Sequence, residues 1–108
     1  MFDFHKWQDW LERQSSSMAL KSAVISFRKT GDDYPLPGVA LALEGSNAVA
    51  DYRCWINGFV DFDIALLRNG TAEVMVNEAM IAVDDDSFET TFQTFLQRFR
   101  ELNAEQTK

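Results

Sequence analysis

Val49-Ala50-Asp51-Tyr52-Arg53-Cys54-Trp55-Ile56-Asn57-Gly58-Phe59-Val60-Asp61-Phe62-Asp63-Ile64-Ala65-Leu66-Leu67 contains two strand-like runs, Val49 to Ile56 and Phe59 to Leu67, on either side of Asn57-Gly58. Asn-Gly between two such runs marks a type I′ hairpin, because both turn residues need positive φ. In the second run Val60, Phe62, Ile64 and Leu66 alternate with Phe59, Asp61, Asp63 and Ala65. One face therefore enters a core and the other largely meets water. A two-residue turn pairs Trp55 with Val60 and Arg53 with Phe62, and sets Tyr52 beside Asp63. A second Asn-Gly, Asn69-Gly70, precedes a further run, Ala72 to Val83, so the next connection also reads as a hairpin. The same rule there sets Leu66 opposite Glu73, a poor match that points to a bulge or a longer loop.

Upstream, Ala23-Val24-Ile25-Ser26-Phe27 and Val39-Ala40-Leu41-Ala42-Leu43 read as two more strands. Gly31 to Gly38, with two prolines and two glycines, is the loop between them. The expected sheet is an antiparallel meander of about five strands. Phe4, Trp7 and Leu11 recur at three and four residues, which predicts an amphipathic helix from Phe4 to about Gln14. Ser15-Ser16-Ser17 should end it, because hydroxyls compete for backbone hydrogen bonds. Phe88, Phe92, Phe95, Leu96, Phe99 and Leu102 form one stripe of a second helix, roughly Ser87 to Asn103. Asp86 and Glu89 have capping-box spacing at its start. The order helix, strands, helix predicts an α+β fold with both helices on one face of the sheet.

The chain has 108 residues, 46% of them apolar and 13% aromatic, enough for one core and one domain over 1–108, with 104–108 frayed. A single cysteine, Cys54, permits no intrachain disulfide. The start Met1-Phe2-Asp3-Phe4-His5 lacks the pattern of a signal peptide, and no run reaches the ~20 apolar residues of a membrane span, so a cytoplasmic location is expected. Net charge is −7; from Gly31 to Glu89 twelve acids face two bases, a local net of −10. Such a centre repels phosphates and anionic lipid, which argues against nucleic acid and membrane, and attracts a basic protein surface. The same charge also serves plain solubility.

Motifs for chemistry are few. His5 and Cys54 lack a third orienting group. Asp61-Phe62-Asp63 has the spacing of a metal-binding DxD, yet a half-exposed strand produces that alternation without a metal. Asp84-Asp85-Asp86 is accounted for by helix capping. Asn69-Gly70-Thr71 matches a glycosylation sequon but reads as a turn. There is no Gly-rich phosphate loop, HExxH, paired CxxC or GxSxG. No catalytic, cofactor or metal residue is assigned, and an enzyme is not expected. What stands out is a carboxylate patch on the outer sheet face: Asp61 and Asp63, with Tyr52 and Asp51 beside them, extended by Glu44 and Asp32-Asp33. Such a patch supplies acceptors for Arg and Lys.

From Val49 onward the chain resembles small bacterial immunity proteins of the TriTu type, which neutralise ADP-ribosyltransferase toxins of the TreTu type. The resemblance lies in Trp55, Asn57-Gly58, Asp61 and Asp63, then Phe92, Phe95, Leu96 and Phe99, with Phe4 and Trp7 in the opening helix. It implies a cytoplasmic antidote that covers the active site of a cognate toxin or effector domain with a basic cleft; the oligomeric state is left open, with a monomer favoured. Two other classes stay open. A small acidic secretion chaperone would show apolar residues on the outer sheet face and would dimerise. A small metal-dependent enzyme would be stabilised by its metal.

Overall fold

A computed structural model describes residues 2–17, 23–29 and 37–104. Helix α1 (Phe4–Ser17) is followed by β1 (Ala23–Lys29), β2 (Gly38–Gly45), β3 (Ala48–Trp55), β4 (Phe59–Arg68), β5 (Thr71–Ala82) and helix α2 (Phe88–Ala104). The strands form one antiparallel sheet in chain order, the expected meander. Helix α1 lies over β1 and β2, and α2 over β3 and β4, both on the same face.

Asp3 starts α1: its carboxylate accepts the Lys6 N–H at 3.2 Å, and its carbonyl takes the Trp7 N–H. The helix ends within the three serines, at Ser17, a little beyond the expected Gln14. The hydroxyls of Ser15 and Ser16 both donate back to the Glu12 carbonyl, so they satisfy the last turn from inside it. The capping box of α2 is also displaced from its expected position. Asp84 accepts the Ser87 N–H at 2.9 Å while its own N–H donates to Ser87 Oγ at 3.0 Å, so the reciprocal pair is Asp84/Ser87, not Asp86/Glu89. With three aspartates in a row, the one three residues ahead of a hydroxyl wins.

The hairpin at Asn57-Gly58 differs from the expected one, with large consequences. Gly58 has φ +87° and its N–H donates to the Trp55 carbonyl at 3.0 Å, whereas Asn57 stays outside the left-handed region. The loop is therefore the three residues Ile56 to Gly58, and the register moves by one: Cys54 pairs with Val60, Arg53 with Asp61, Tyr52 with Phe62 and Asp51 with Asp63. A one-residue slip exchanges the faces of a strand. The two-residue turn would have sent Arg53 into the core opposite Phe62; the longer loop sends Tyr52 there instead.

Asn69-Gly70 is the true two-residue turn, with φ +53° and +78°. Leu66 does stand opposite Glu73, and the irregularities come further along. Met75 is an extra residue between the Val74 and Val76 pairings, and Ala79-Met80 together oppose Asp61. Such bulges blunt an edge strand against unwanted pairing.

The core is aromatic. Tyr52 is fully buried, stacks over Phe62 at 5.9 Å and meets Phe92 edge-on at 5.0 Å, while Trp7 stacks on Phe88 at 4.5 Å. Two polar clamps hold the helices, one joining the start of α1 to the β5–α2 link and one joining the end of α2 to the β2–β3 turn. Asp85 accepts the Asp3 N–H at 2.9 Å and the Trp7 indole N–H at 2.8 Å. Asn103 accepts the N–H groups of Asn47 and Ala48 at the β2–β3 turn, and its carbonyl takes the Asn47 side-chain amide at 2.7 Å.

Candidate functional site: the uncovered sheet face

Both helices lie on one side, and none of the described helices or strands covers the other side of the sheet. The register lays its residues out in rows across the strands. One row runs Val24, Glu44, Val49, Ala65, Val74; the next Ser26, Ala42, Asp51, Asp63, Asn77; the third Arg28, Ala40, Arg53, Asp61. Trp55 and Phe59 close the far end. The face is apolar at one end, charged in the middle and aromatic at the other.

Of the expected docking residues, Asp51, Asp61, Asp63 and Glu44 share this face. Tyr52 does not. It points into the core with no exposed surface, for the register reason given above. Burial, and after it the charge of a Cys54 thiolate, holds its phenol well above the usual range. Its hydroxyl has no hydrogen-bond partner among the described residues. Asp32-Asp33 lie outside the described residues.

Asp51, Asp61 and Asp63 already accept contacts from within the chain. Asp51 and Asp63 stand directly opposite each other, an unfavourable like-charge pair that Arg53 reconciles by bridging them. Its guanidinium meets Asp51 at 2.7 Å and Asp63 at 3.1 Å, and Arg28 adds a third contact to Asp51 at 3.3 Å. Burial pulls Arg53 toward losing its proton, but the hydrogen bonds it donates to Asp63 and Asp51 outweigh that and raise it overall. Asp61 is engaged otherwise. One of its oxygens accepts the Met80 N–H at 2.7 Å and the other the Trp55 indole N–H at 3.3 Å. Three carboxylates against two guanidiniums leave this centre a net of only −1. The signal was present in the sequence: Asp51, Arg53 and Trp55 sit two apart on one strand and must share a face.

The same contacts bear on the other chemistries. Asp61 and Asp63 already hold internal donors, and among the described residues no group of three or more His, Cys, Asp or Glu is placed for a metal ion. Cys54 is buried under the helices, and that burial pushes its thiol up to about 12, far from a thiolate nucleophile at neutral pH. His5 is exposed on α1. A cleft of about 270 Å³ opens on the helix side between α2 and β5, with Phe62 and Ile81 among its lining and Glu78 and Arg98 at its margins. No helix of the described residues is long and apolar enough to cross a membrane. Comparisons with family models, with curated proteins and with solved structures found no match.

Proposed function

We propose that this chain is a protein-binding module that acts by occlusion, an antidote that docks its uncovered sheet face on a cognate toxin in the cytoplasm. One observation carries the docking part: a broad sheet face over which no described helix or strand lies, whose charged centre is already locked in place by Arg53. Side chains held before binding lose little entropy when a partner arrives. The apolar ends supply area, with Val24 and Val74 each more than 60% exposed. The antidote part rests on the likeness to the TriTu-type immunity proteins, which also names the class of toxin. A net charge of −7 favours a basic protein over nucleic acid or an anionic membrane.

The test uses the C-terminal domain of the protein encoded immediately upstream of this chain. Titration calorimetry should show a one-to-one complex of order nanomolar, together with loss of that domain's transferase activity. Absence of binding to it overturns the antidote reading.

A second reading draws on the row Val24, Val49, Ala65 and Val74. Apolar residues on the outer face are what a secretion chaperone would use to dimerise. Sedimentation separates the two: the antidote is a monomer, the chaperone a dimer.

A further inference from the structure

The helix layer does not reach across the whole sheet. Helix α2 packs on β3 and β4, and β5 lies one strand further out, at the sheet edge. The cleft of about 270 Å³ opens where the helix stops short of that strand. On β5, Glu78 stands opposite Phe62 and Ile81 opposite Val60. Both partners are core residues, and directly opposed residues share a face. Glu78 and Ile81 therefore stand on the helix side, away from the open face.

The helix supplies the second wall. Thr90, Thr94 and Arg98 recur every four residues and form one stripe of α2, about 12 Å long. Phe62 closes the floor, held edge-on against Phe95 at 5.3 Å. The two walls run in opposite directions. β5 leads straight into α2, and α2 ends at the β2–β3 turn, the end of the sheet at which β5 begins. Ile81 thus lies at the Thr90 end of the cleft, Glu78 in its middle and Arg98 at the far end.

Two opposite charges line this space without satisfying each other. Among the described residues neither Glu78 nor Arg98 takes part in an ion pair or a side-chain hydrogen bond, whereas Asp51, Asp63 and Glu73 each have an arginine. The Thr94 hydroxyl has committed its proton to the Thr90 carbonyl at 3.0 Å, so it can only accept from a ligand. A dianion would leave Glu78 opposed to it, and a dication would do the same to Arg98. The ligand these groups fit carries one charge of each sign with an apolar arm beside them.

We propose that the cleft binds a free apolar α-amino acid as its zwitterion. The carboxylate pairs with Arg98, the ammonium with Glu78 and Thr94 Oγ, and the side chain lies on Phe62 and Ile81. One carbon bears both charges of such a ligand, while a peptide presents only one of them at each terminus. The volume falls just below the ~300 Å³ at which ligand sites usually begin, which suits a molecule of this size. Both charged groups are exposed, so solvent weakens the pairing and the dissociation constant should be of order 1 mM. The site lies on the opposite side of the sheet from the docking face and is independent of it.

Titration of the whole chain with L-leucine, followed by amide NMR, tests this. Saturable shifts are expected at Glu78, Ile81, Thr94 and Arg98. Leucine methyl ester lacks the carboxylate and N-acetyl-leucine lacks the ammonium, so each should bind roughly tenfold more weakly or worse. Glu78→Gln and Arg98→Gln should weaken leucine binding similarly while melting near wild type, since both positions are exposed. No saturable shift by about 10 mM leucine overturns the proposal. So does N-acetyl-leucine binding as well as leucine, because the occupant is then a peptide C-terminus. Equal binding of the methyl ester overturns it likewise in favour of an amine, and unchanged leucine binding in both variants places the ligand elsewhere.

Discussion

Asp61 Oδ1 accepts the main-chain N–H of Met80 at 2.7 Å and so holds a methionine in a left-handed conformation at the edge of the sheet. The residue expected to be a free carboxylate for a partner is thus a structural acceptor. Charge reversal at Asp61 would disturb the bulge as well as the charge, so Asp63 is the cleaner position for electrostatic tests.

Asp61→Ala should destabilise the fold by about 1–2 kcal/mol, since both donors lose a charged acceptor but can recover part of the loss from water. Met80→Gly should stabilise by roughly 1 kcal/mol through relief of the left-handed backbone. Chemical denaturation of the two single variants and the double variant checks both. The pair should be non-additive, because the two residues share one hydrogen bond.

Tyr52→Phe should leave stability unchanged or raise it by about 1 kcal/mol, because the fully buried hydroxyl finds no partner among the described residues. Tyr52→Ala should cost about 3–5 kcal/mol, the range for emptying an aromatic site. Urea midpoints distinguish the ring from the hydroxyl.

The strands and helices were legible because alternation and heptad-like spacing are set by burial, and the outer-face positions of Asp61 and Asp63 followed from that. The register was not. Ile-Asn-Gly admits a two-residue or a three-residue loop, and the choice falls to which of Arg53 and Tyr52 can be buried, a tertiary matter. Only the Ala79-Met80 bulge left a trace that could have been read. Val76 faces the core from an even position and Ile81 and Val83 from odd ones, a change of phase that a regular strand cannot make. The cross-strand pairings of Arg28 with Asp51 and of Arg53 with Asp63 were hidden for a different reason, since long side chains choose partners across strands only once the register is known.

Asn103→Ala removes the acceptor for two main-chain N–H groups at the β2–β3 turn. A loss of about 1–3 kcal/mol is expected, with faster hydrogen exchange at Asn47 and Ala48. Unchanged exchange there would show that α2 is fixed by apolar packing alone.

Acid sensitivity should arise at the start of α2. The Ser87 hydroxyl and N–H hold Asp84 below the usual carboxylate range, and the Asp3 N–H followed by the Trp7 indole does the same for Asp85. Groups with lowered folded values stabilise above the unfolded value of about 3.9, and that contribution disappears as pH falls through the folded value. Melting temperature should therefore be level from neutral pH to about pH 5 and decline below about pH 4. Asp85→Asn should flatten that decline, and an unaltered acid limb in both Asp84→Asn and Asp85→Asn would contradict the assignment.

The proposed docking surface is the open face of the sheet, not the helices. Hydroxyl-radical footprinting of the chain with and without the upstream-encoded C-terminal domain reads this directly, because Trp55, Met80 and Met75 are strong reporters on the sheet and Trp10 reports on α1. Protection of Trp55 and Met80 with Trp10 unchanged is the predicted result. Protection of Trp10 with Trp55 and Met80 left as reactive as in the free chain would contradict it.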